Sequence, residues 1–293
     1  MELNVLGDGP FRLRANFHGH TTESDGRLSP QEYVDWYTEH GYDALAITDH
    51  NVRTEPASLD SRGTLLIPGA EVTATGTEFG GQYHLVALGR LPDPLPPVTT
   101  PGPESARRLA AAGAVVIVAH PHWSGLTGLD LLAIEAATGL EVWNGGTVLD
   151  SEKGAAPAAW DELLRRGRRL WGFATDDAHF RLPDGATGWV VMCPAERTVG
   201  GVLEALKQGR FYGSAGPELQ EVRIADGTVT VRCSPCAGIY CLGFAGRNQY
   251  RRAGEGTPLE SAEFELRGDE HWIRVQVTDA GGRSAWTQPA WLR

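Results

Sequence analysis

The chain has 293 residues, which is enough for one large domain or for one domain of ordinary size with a small one appended. Hydrophobic residues make up 41% of it and charged residues 22%, as in ordinary soluble globular proteins, and no apolar stretch approaches the roughly 20 residues that cross a membrane. The formal net charge of −11 argues against a nucleic acid polymer as partner, and residues 1–14 lack the apolar core of a signal peptide. We therefore expect a cytoplasmic protein that acts on a small molecule.

Residues 15–212 alternate short apolar runs with amphipathic stretches, the order typical of a parallel sheet or barrel. A capping box at Ser29 and the glycine at Gly41 predict one helix between them, and Thr198 and Gly209 bound a second. The proline-rich residues 91–103 predict a loop. The predicted strands are 44–48, 64–68, 83–88, 114–119, 139–143, 169–175 and 188–193.

The pattern changes after Gly213, where β-type runs follow one another without a convincing helix. Turn signals such as Asp226-Gly227 separate them. The predicted strands here are 221–224, 228–232, 238–243, 262–266 and 272–278. We therefore expect two domains, residues 1–213 with the βα pattern and residues 214–293 as a small antiparallel β domain.

Three cysteines, Cys233, Cys236 and Cys241, form a C-x2-C-x4-C spacing that would suit zinc. A closed structural zinc site needs four ligands, and neither a histidine nor the fourth cysteine, Cys193, is close in the sequence. Buried cysteines on strands are the favoured interpretation.

The positions of the nine histidines are the strongest signal in the sequence. A single histidine at the end of a strand is more often structural, but most of the nine follow or begin a predicted strand with carboxylates close by. In a βα barrel the strand ends gather at one rim, where such enzymes place their sites. Imidazole and carboxylate without thiolate suit Zn, Mn or Fe.

Five segments carry most of these residues, in this order: His18-Gly19-His20-Thr21 with Ser24-Asp25-Gly26, Thr48-Asp49-His50-Asn51, Pro68-Gly69-Ala70-Glu71, Ala119-His120-Pro121 and Asp177-Ala178-His179. They resemble the motifs of the PHP (polymerase and histidinol phosphatase) metallohydrolases, and the resemblance covers about the first 210 residues. The remainder more weakly resembles the β-rich extension of the branch that includes carbaryl-type hydrolases.

The resemblance implies an α/β fold, a distorted (β/α)7 barrel of PHP type, followed here by the small antiparallel β domain. It also implies two or three divalent metal ions, Zn, Mn or Fe, as cofactors. The first ion would be held by His18, His20, Glu71 and Asp177, the second by Glu71, His84 and His120, and the third by Asp25, His50 and His179.

Further residues beside these motifs are candidates for catalysis or substrate binding. Asp49 and Asp176 would orient imidazoles by hydrogen bonds, or simply cap turns. His122 would orient substrate or protonate a leaving group, or form part of the wall. The candidates for substrate contact, each of which is also explained as plain surface or core, are Trp123, Asn144, Lys153 and Arg181.

Together these residues predict a phosphatase or phosphodiesterase for a small metabolite or nucleotide, using a metal-bound hydroxide at a di- or trinuclear site. The chain lacks a G-x-S-x-G motif, and a full ligand set leaves a surplus of positive charge that favours a phosphate dianion. Alternatives are a carbamate, amide or carboxylic-ester hydrolase with the same metal site and a non-catalytic metal-binding accessory module. A nucleic-acid repair domain conflicts with the negative charge.

Overall fold

A computed structural model describes residues 2–293. Its α-helices are Pro30–Glu39 (α1), Gly102–Ala112 (α2), Gly128–Ala133 (α3), Gly145–Ser151 (α4), Pro157–Arg165 (α5) and Val199–Gln208 (α6). The first strands are Leu3–Asn4 (β1), Leu13–Asn16 (β2), Ala44–Ala46 (β3), Leu65–Ile67 (β4), Gly69–Ala74 (β5), Tyr83–Leu88 (β6), Val115–Val118 (β7), Gly139–Asn144 (β8), Trp171–Thr175 (β9), Trp189–Met192 (β10) and Phe211–Ser214 (β11). The later strands are Leu219–Ala225 (β12), Thr228–Cys236 (β13), Gly238–Gly243 (β14), Gln249–Arg252 (β15), Leu259–Glu265 (β16), Trp272–Thr278 (β17), Ser284–Thr287 (β18) and Ala290–Trp291 (β19).

Both helices predicted from caps are present. The Ser29 hydroxyl accepts a hydrogen bond from the backbone of Glu32, whose carboxylate accepts one from the Ser29 backbone, so α1 begins at a complete capping box. Thr198 caps α6, and Gly209 ends it with a positive φ of 69°, a conformation that glycine adopts at little cost. The loop predicted for residues 91–103 ends at Pro101, where α2 begins.

Strands β2 to β11 belong to two sheets that share a core. In one, β2, β3 and β4 are parallel, and β10 joins β2 antiparallel. In the other, β5, β6 and β7 are antiparallel, and β8 and β9 continue from β7 in parallel. Buried side chains from both sheets, such as Ala15, Phe173 and Val190, pack into one cluster.

The expected closed (β/α)7 barrel is not confirmed, because the backbone ladders of the described residues do not close. β4 and β5 are separated only by Pro68, which has no N–H to donate, and the chain passes there from one sheet to the other. β9 and β10 belong to different sheets as well. The mixed α/β character is confirmed, with two sheets around a shared core.

The part of the chain after β11 contains β12 to β19 and, within the described residues, no α-helix. One four-stranded antiparallel sheet has the order β1-β12-β13-β16. The other strands extend the sheet of the first part, in the order β15-β14-β17-β18-β11-β10-β2-β3-β4 with β19 beside β17. The β-rich part and the βα part therefore share a continuous sheet, and a domain boundary at residue 213 stays a prediction.

The three clustered cysteines lie on strands in the β-rich part, Cys233 and Cys236 on β13 and Cys241 on β14, and all three are buried, as expected. Among residues 2–293 no helix combines the length and the apolar character needed to cross a membrane.

Candidate metal centre

Backbone hydrogen bonds bring the histidine motifs together at one edge of the two sheets. The N–H of Asp177 donates to the carbonyl of His18 at 3.0 Å, and the N–H of His20 donates to that of Ala178 at 2.9 Å. The N–H of Thr48 donates to the Gly19 carbonyl at 2.9 Å. These bonds continue the strands by a few residues, so motifs 160 residues apart in sequence share one site.

The Glu71 carboxylate is the centre of this site and is fully buried. It lies on β5, a strand that the sequence pattern did not predict. Five histidines place a ring nitrogen within 3.4 Å of its two oxygens: His84 at 3.0 Å, His120 at 3.2 Å, His50 at 2.9 Å, His20 at 3.3 Å and His18 at 3.4 Å. The bridging position implied for Glu71 by the family resemblance fits these contacts.

Asp177 forms the opposite side of the same centre. Its Oδ1 atom lies 3.0 Å from His20 Nε2 and 3.3 Å from His18 Nε2. Asp177 has a φ of 54° and His120 a φ of 25°, conformations that cost non-glycine residues free energy. Strain of this kind is concentrated at functional sites.

Three buried polar atoms in the centre have no hydrogen-bond partner: His50 Nδ1, Glu71 Oε2 and Asp177 Oδ1. His50 Nδ1 and Glu71 Oε2 are only 2.9 Å apart, yet their geometry is not that of a hydrogen bond. A buried carboxylate oxygen without a partner is costly, so these atoms fit a bound cation. The donor set of imidazole and carboxylate suits a divalent transition metal.

A more exposed group surrounds Asp25. Its Oδ1 atom lies 3.3 Å from His179 Nε2, 3.7 Å from His50 Nε2 and 3.8 Å from His20 Nδ1. The Asp25 side chain is 40% exposed, whereas His20 is buried. His20 therefore faces the buried centre with one ring nitrogen and the exposed group with the other.

All nine predicted ligands belong to one of four groups whose donor atoms lie within 4.8 Å of one another. The groups are His20, Asp25, His50 and His179; His18, His120 and Asp177; His18, His20 and Glu71; and His50, Glu71 and His84. The division among three ions that the family resemblance implies stays a prediction, because four residues each belong to two groups: His18, His20, His50 and Glu71.

Glu141 contacts the predicted ligand His18, and the sequence pattern did not single it out. It is buried on β8 and accepts a hydrogen bond from His18 Nδ1 at 2.7 Å. The His120 backbone and Thr175 also donate to it, at 2.8 and 2.7 Å. Because the carboxylate only accepts, His18 carries its proton on Nδ1 and turns Nε2 toward Glu71 and Asp177. A glutamate is rarely buried without a partner. A glutamate within the apolar run 139–143 is therefore a sequence signal that could have identified Glu141.

His179 has its proton fixed in a different way. Its Nδ1 atom donates to the carbonyl of Asp177 at 3.0 Å, so Nε2 faces Asp25. Asp184, which is buried, accepts from the backbone N–H of His179 at 2.9 Å and holds this turn in place.

Asp49 and Asp176 are buried but have partners other than imidazoles. Asp49 accepts from the Thr21 backbone at 2.7 Å and from the Ser24 hydroxyl at 2.6 Å. Asp176 accepts from the Tyr37 hydroxyl at 2.7 Å and from backbone N–H groups of residues 186–188. Both carboxylates therefore hold the loops that carry the ligands, which is the turn-capping alternative of the sequence analysis.

The electrostatics of the centre depend on its carboxylates. Burial lowers the pKa of His20, but Asp177 and Glu71 outweigh it and raise that pKa from 6.5 to about 9. Burial opposes ionisation of Asp177 as well, yet His18 and His20 hold its pKa well below the ordinary value. Burial raises the pKa of Asp176 to about 6 despite its hydrogen bonds.

A cavity of about 460 Å³ opens over the centre. Of the four substrate candidates, Trp123 and Arg181 line it. Asn144 is buried below the site, where it donates to Glu141 and Asp177 at 2.8 and 3.1 Å. Lys153, the fourth substrate candidate, and His122, the candidate for orienting substrate or protonating a leaving group, are exposed. Neither is among the residues that line the cavity.

Comparisons with known proteins give a sequence relative and several structural neighbours. No family model matches the sequence. The 5′-3′ exoribonuclease Rnm of Salmonella typhimurium is 36% identical over 90 residues, which are 29% of this chain and 30% of the exoribonuclease. The chain thus spans less than a third of the length of that relative.

Several solved structures are similar, and two of them are the following. A two-domain protein of Bacteroides vulgatus containing a predicted PHP-like metal-dependent phosphoesterase has a TM-score of 0.54 at 18% identity, covering 93% of this chain and 92% of that one. The lesion-specific endonuclease PfuEndoQ of Pyrococcus furiosus has a TM-score of 0.46 at 11% identity, covering 68% of this chain and 56% of that one.

The Salmonella relative is named as an exoribonuclease, so the expectation that no nucleic acid polymer is a partner has no support from it. The similarity to the Bacteroides protein extends over nearly the whole of both chains, including the β-rich part. The chain therefore has the fold of a two-domain protein with a PHP-like metal-dependent phosphoesterase, and the resemblance seen in its histidine motifs is confirmed at the level of the fold.

Proposed function

We propose that this chain is a metal-dependent phosphoesterase whose site holds two or three divalent ions. The observation that carries the proposal is the meeting of His18, His20, Glu71 and Asp177, with one oxygen of each carboxylate buried and unpartnered. Such a set of donors is costly to bury unless a cation binds it. The cavity directly above gives a substrate access to the same atoms.

Bound divalent ions would supply Lewis-acid activation of water and of the phosphoryl group. The residues of the chain hold the geometry for this. Glu141 fixes the His18 ring, and the Asp177 carbonyl fixes the His179 ring. Arg181 lies at the edge of the cavity, with its guanidinium 3.5 Å from Asp25, and would contact phosphoryl oxygens there. No protein nucleophile is required by this arrangement.

The class of ester is part of the proposal. A cluster with more metal charge than carboxylate charge favours an anionic phosphate over a neutral carbamate or carboxylic ester. The names of the relatives, a PHP-like phosphoesterase, an exoribonuclease and an endonuclease, also support phosphate-ester chemistry. A small phosphorylated molecule is the proposed substrate, and an RNA strand is the alternative that the assay must include.

The test is metal analysis combined with turnover on the same samples. Protein loaded with Mn, Zn or Fe is expected to hold two or three ions per chain and to release phosphate from 4-nitrophenyl phosphate. His20→Ala is expected to lose both, because His20 faces both halves of the cluster. His40→Ala is the matched control, since His40 is exposed and stacks on Trp36 away from the site.

Each alternative has its own outcome. Turnover of 4-nitrophenyl acetate without phosphate release would assign the site to ester or carbamate hydrolysis. Bound metal without turnover of phosphomonoester, phosphodiester, RNA or ester would contradict the enzyme proposal and favour an accessory module.

A further inference from the structure

Beyond the metal ligands, the cavity wall has a distinct composition. Four side chains form much of this outer wall: Trp123, Asp150, Arg181 and Leu182. Trp123 is 42% exposed and Leu182 is 47% exposed, so both offer apolar surface to whatever occupies the cavity. The Trp123 ring meets the His120 ring edge-on at 4.9 Å, which brings the indole next to a metal ligand.

The charged side chains of the outer wall limit how many further negative groups the substrate can carry. Arg181 is the sole Lys or Arg among the described lining residues, and Asp25 pairs with it at 3.5 Å. Asp150, on the last turn of α4, also lines the cavity, and within residues 2–293 it forms no ion pair. A second phosphate on the substrate would therefore find no free cation and would lie near a carboxylate.

The apolar walls favour a flat group next to the ester. An exposed indole provides a large apolar face for an aromatic ring, and Leu182 offers further apolar surface to the same cavity. A volume of about 460 Å³ is much larger than one phosphate needs and lies in the range of small-molecule sites.

Resting on the proposed function, we propose that the site is selective for esters with a single phosphate and a flat, aromatic alcohol portion without further negative charge. Asp150 is the residue that rejects a second phosphate, and Trp123 is the residue that accepts the aromatic group. A nucleic acid strand, which presents a second phosphate next to the first, is disfavoured by the same wall.

The experiment compares pairs of probes on the metal-loaded enzyme. The 5′-phosphorylated dinucleotide of adenosine carries one phosphate and one nucleoside more than adenosine 5′-monophosphate, and the consumption of both probes is followed by chromatography. For the wild type, kcat/KM is expected to be higher for the mononucleotide than for the dinucleotide. Asp150→Asn should reduce this preference by roughly threefold to tenfold, since it removes one of two like charges, and Asp150→Lys should reverse it. Glu152→Gln is the matched control, because Glu152 is exposed at the end of the same helix but does not line the cavity.

The aromatic preference has its own pair of probes. Trp123→Leu should raise the KM for 1-naphthyl phosphate and leave the KM for methyl phosphate nearly unchanged. Phe79→Leu is the control and should change neither KM, because Phe79 is 81% exposed and does not line the cavity. Absence of hydrolysis of every probe would overturn the proposed function itself. Hydrolysis of all probes, with equal use of the dinucleotide and no effect of Asp150→Asn, would overturn only the selectivity.

Discussion

The side chain of Glu141 accepts a hydrogen bond from His18 Nδ1 at 2.7 Å, with both residues fully buried. This bond decides which nitrogen of His18 faces the other ligands. Glu141→Gln removes the charge that favours this tautomer, and we expect metal affinity to fall about 10- to 100-fold. Competition with a chromophoric chelator measures the affinity, and circular dichroism verifies the fold.

The control for this change is Glu135→Gln, a glutamate exposed after α3 and distant from the ligands. It should bind metal as wild type does. Equal affinity of Glu141→Gln and wild type would mean that Glu141 supports only the fold of β8.

Metal removal should destabilise the protein. Glu71 Oε2 and Asp177 Oδ1 are buried without partners, and an ion that binds only the folded state adds stability. With free metal at 100 times its Kd the gain is roughly 2.7 kcal/mol, seen as a higher Tm that EDTA reverses. Glu71→Gln should lose this gain, whereas Glu104→Gln, exposed on α2, should keep it. A Tm independent of metal would contradict a site of this kind.

The site was more predictable than the architecture. Spacings such as His18-x-His20 are short-range, and two ligands separated by one residue share a face whatever the fold. The capping box of α1 and the N-cap of α6 are local in the same way. These features depend only on residues that are close in the sequence, so the sequence alone predicts them.

What the sequence did not predict depends on contacts between distant segments. The strand β5 carries the charged Glu71 near its middle, so it lacks the apolar run that identifies a strand. Whether the barrel closes depends on whether β4 pairs with β5 and β9 pairs with β10. No local sequence pattern indicates such a pairing. Asp49 and Asp176 follow strand ends as ligands do, and only their distant hydrogen-bond donors identify them as supports of loops.

An ion pair connects the βα part to the β-rich part. Arg274 on β17 is 1% exposed, and its guanidinium donates to both oxygens of Asp161 on α5, at 2.8 and 2.9 Å. Asp161→Ala would leave a buried cation unpaired and should cost about 3 kcal/mol of unfolding free energy. Arg274→Met should cost less, because Asp161 is 32% exposed and regains water.

Chemical denaturation of both variants and of the double variant measures this asymmetry. The double variant should resemble Arg274→Met, since the unpaired charge is gone. Glu39→Ala, in an exposed pair with Arg62, is the surface comparison and should cost much less. Equal effects of Asp161→Ala and Arg274→Met would contradict the burial argument.

Asp130 gives a prediction about pH that lies outside the metal centre. It is buried and accepts hydrogen bonds from the backbone N–H groups of Thr127 and Glu78, at 2.9 and 2.7 Å. Burial raises its pKa, but these bonds and that of the Tyr83 hydroxyl outweigh burial and lower the pKa below 3.8. A carboxyl with a depressed pKa stabilises the fold above its unfolded pKa, and the stabilisation disappears as pH falls through the folded value.

Asp130→Asn should therefore cost about 1–2 kcal/mol near neutral pH, because an amide replaces the charged acceptor of the α3 cap. The difference in unfolding free energy between Asp130→Asn and wild type should persist as the pH is lowered to 3.8 and should become smaller only below that value. Urea unfolding over this pH series measures it, with Asp226→Asn in the β12–β13 turn as the control. A difference that vanishes well above 3.8 would mean that burial, and not the hydrogen bonds to Thr127 and Glu78, dominates the pKa of Asp130.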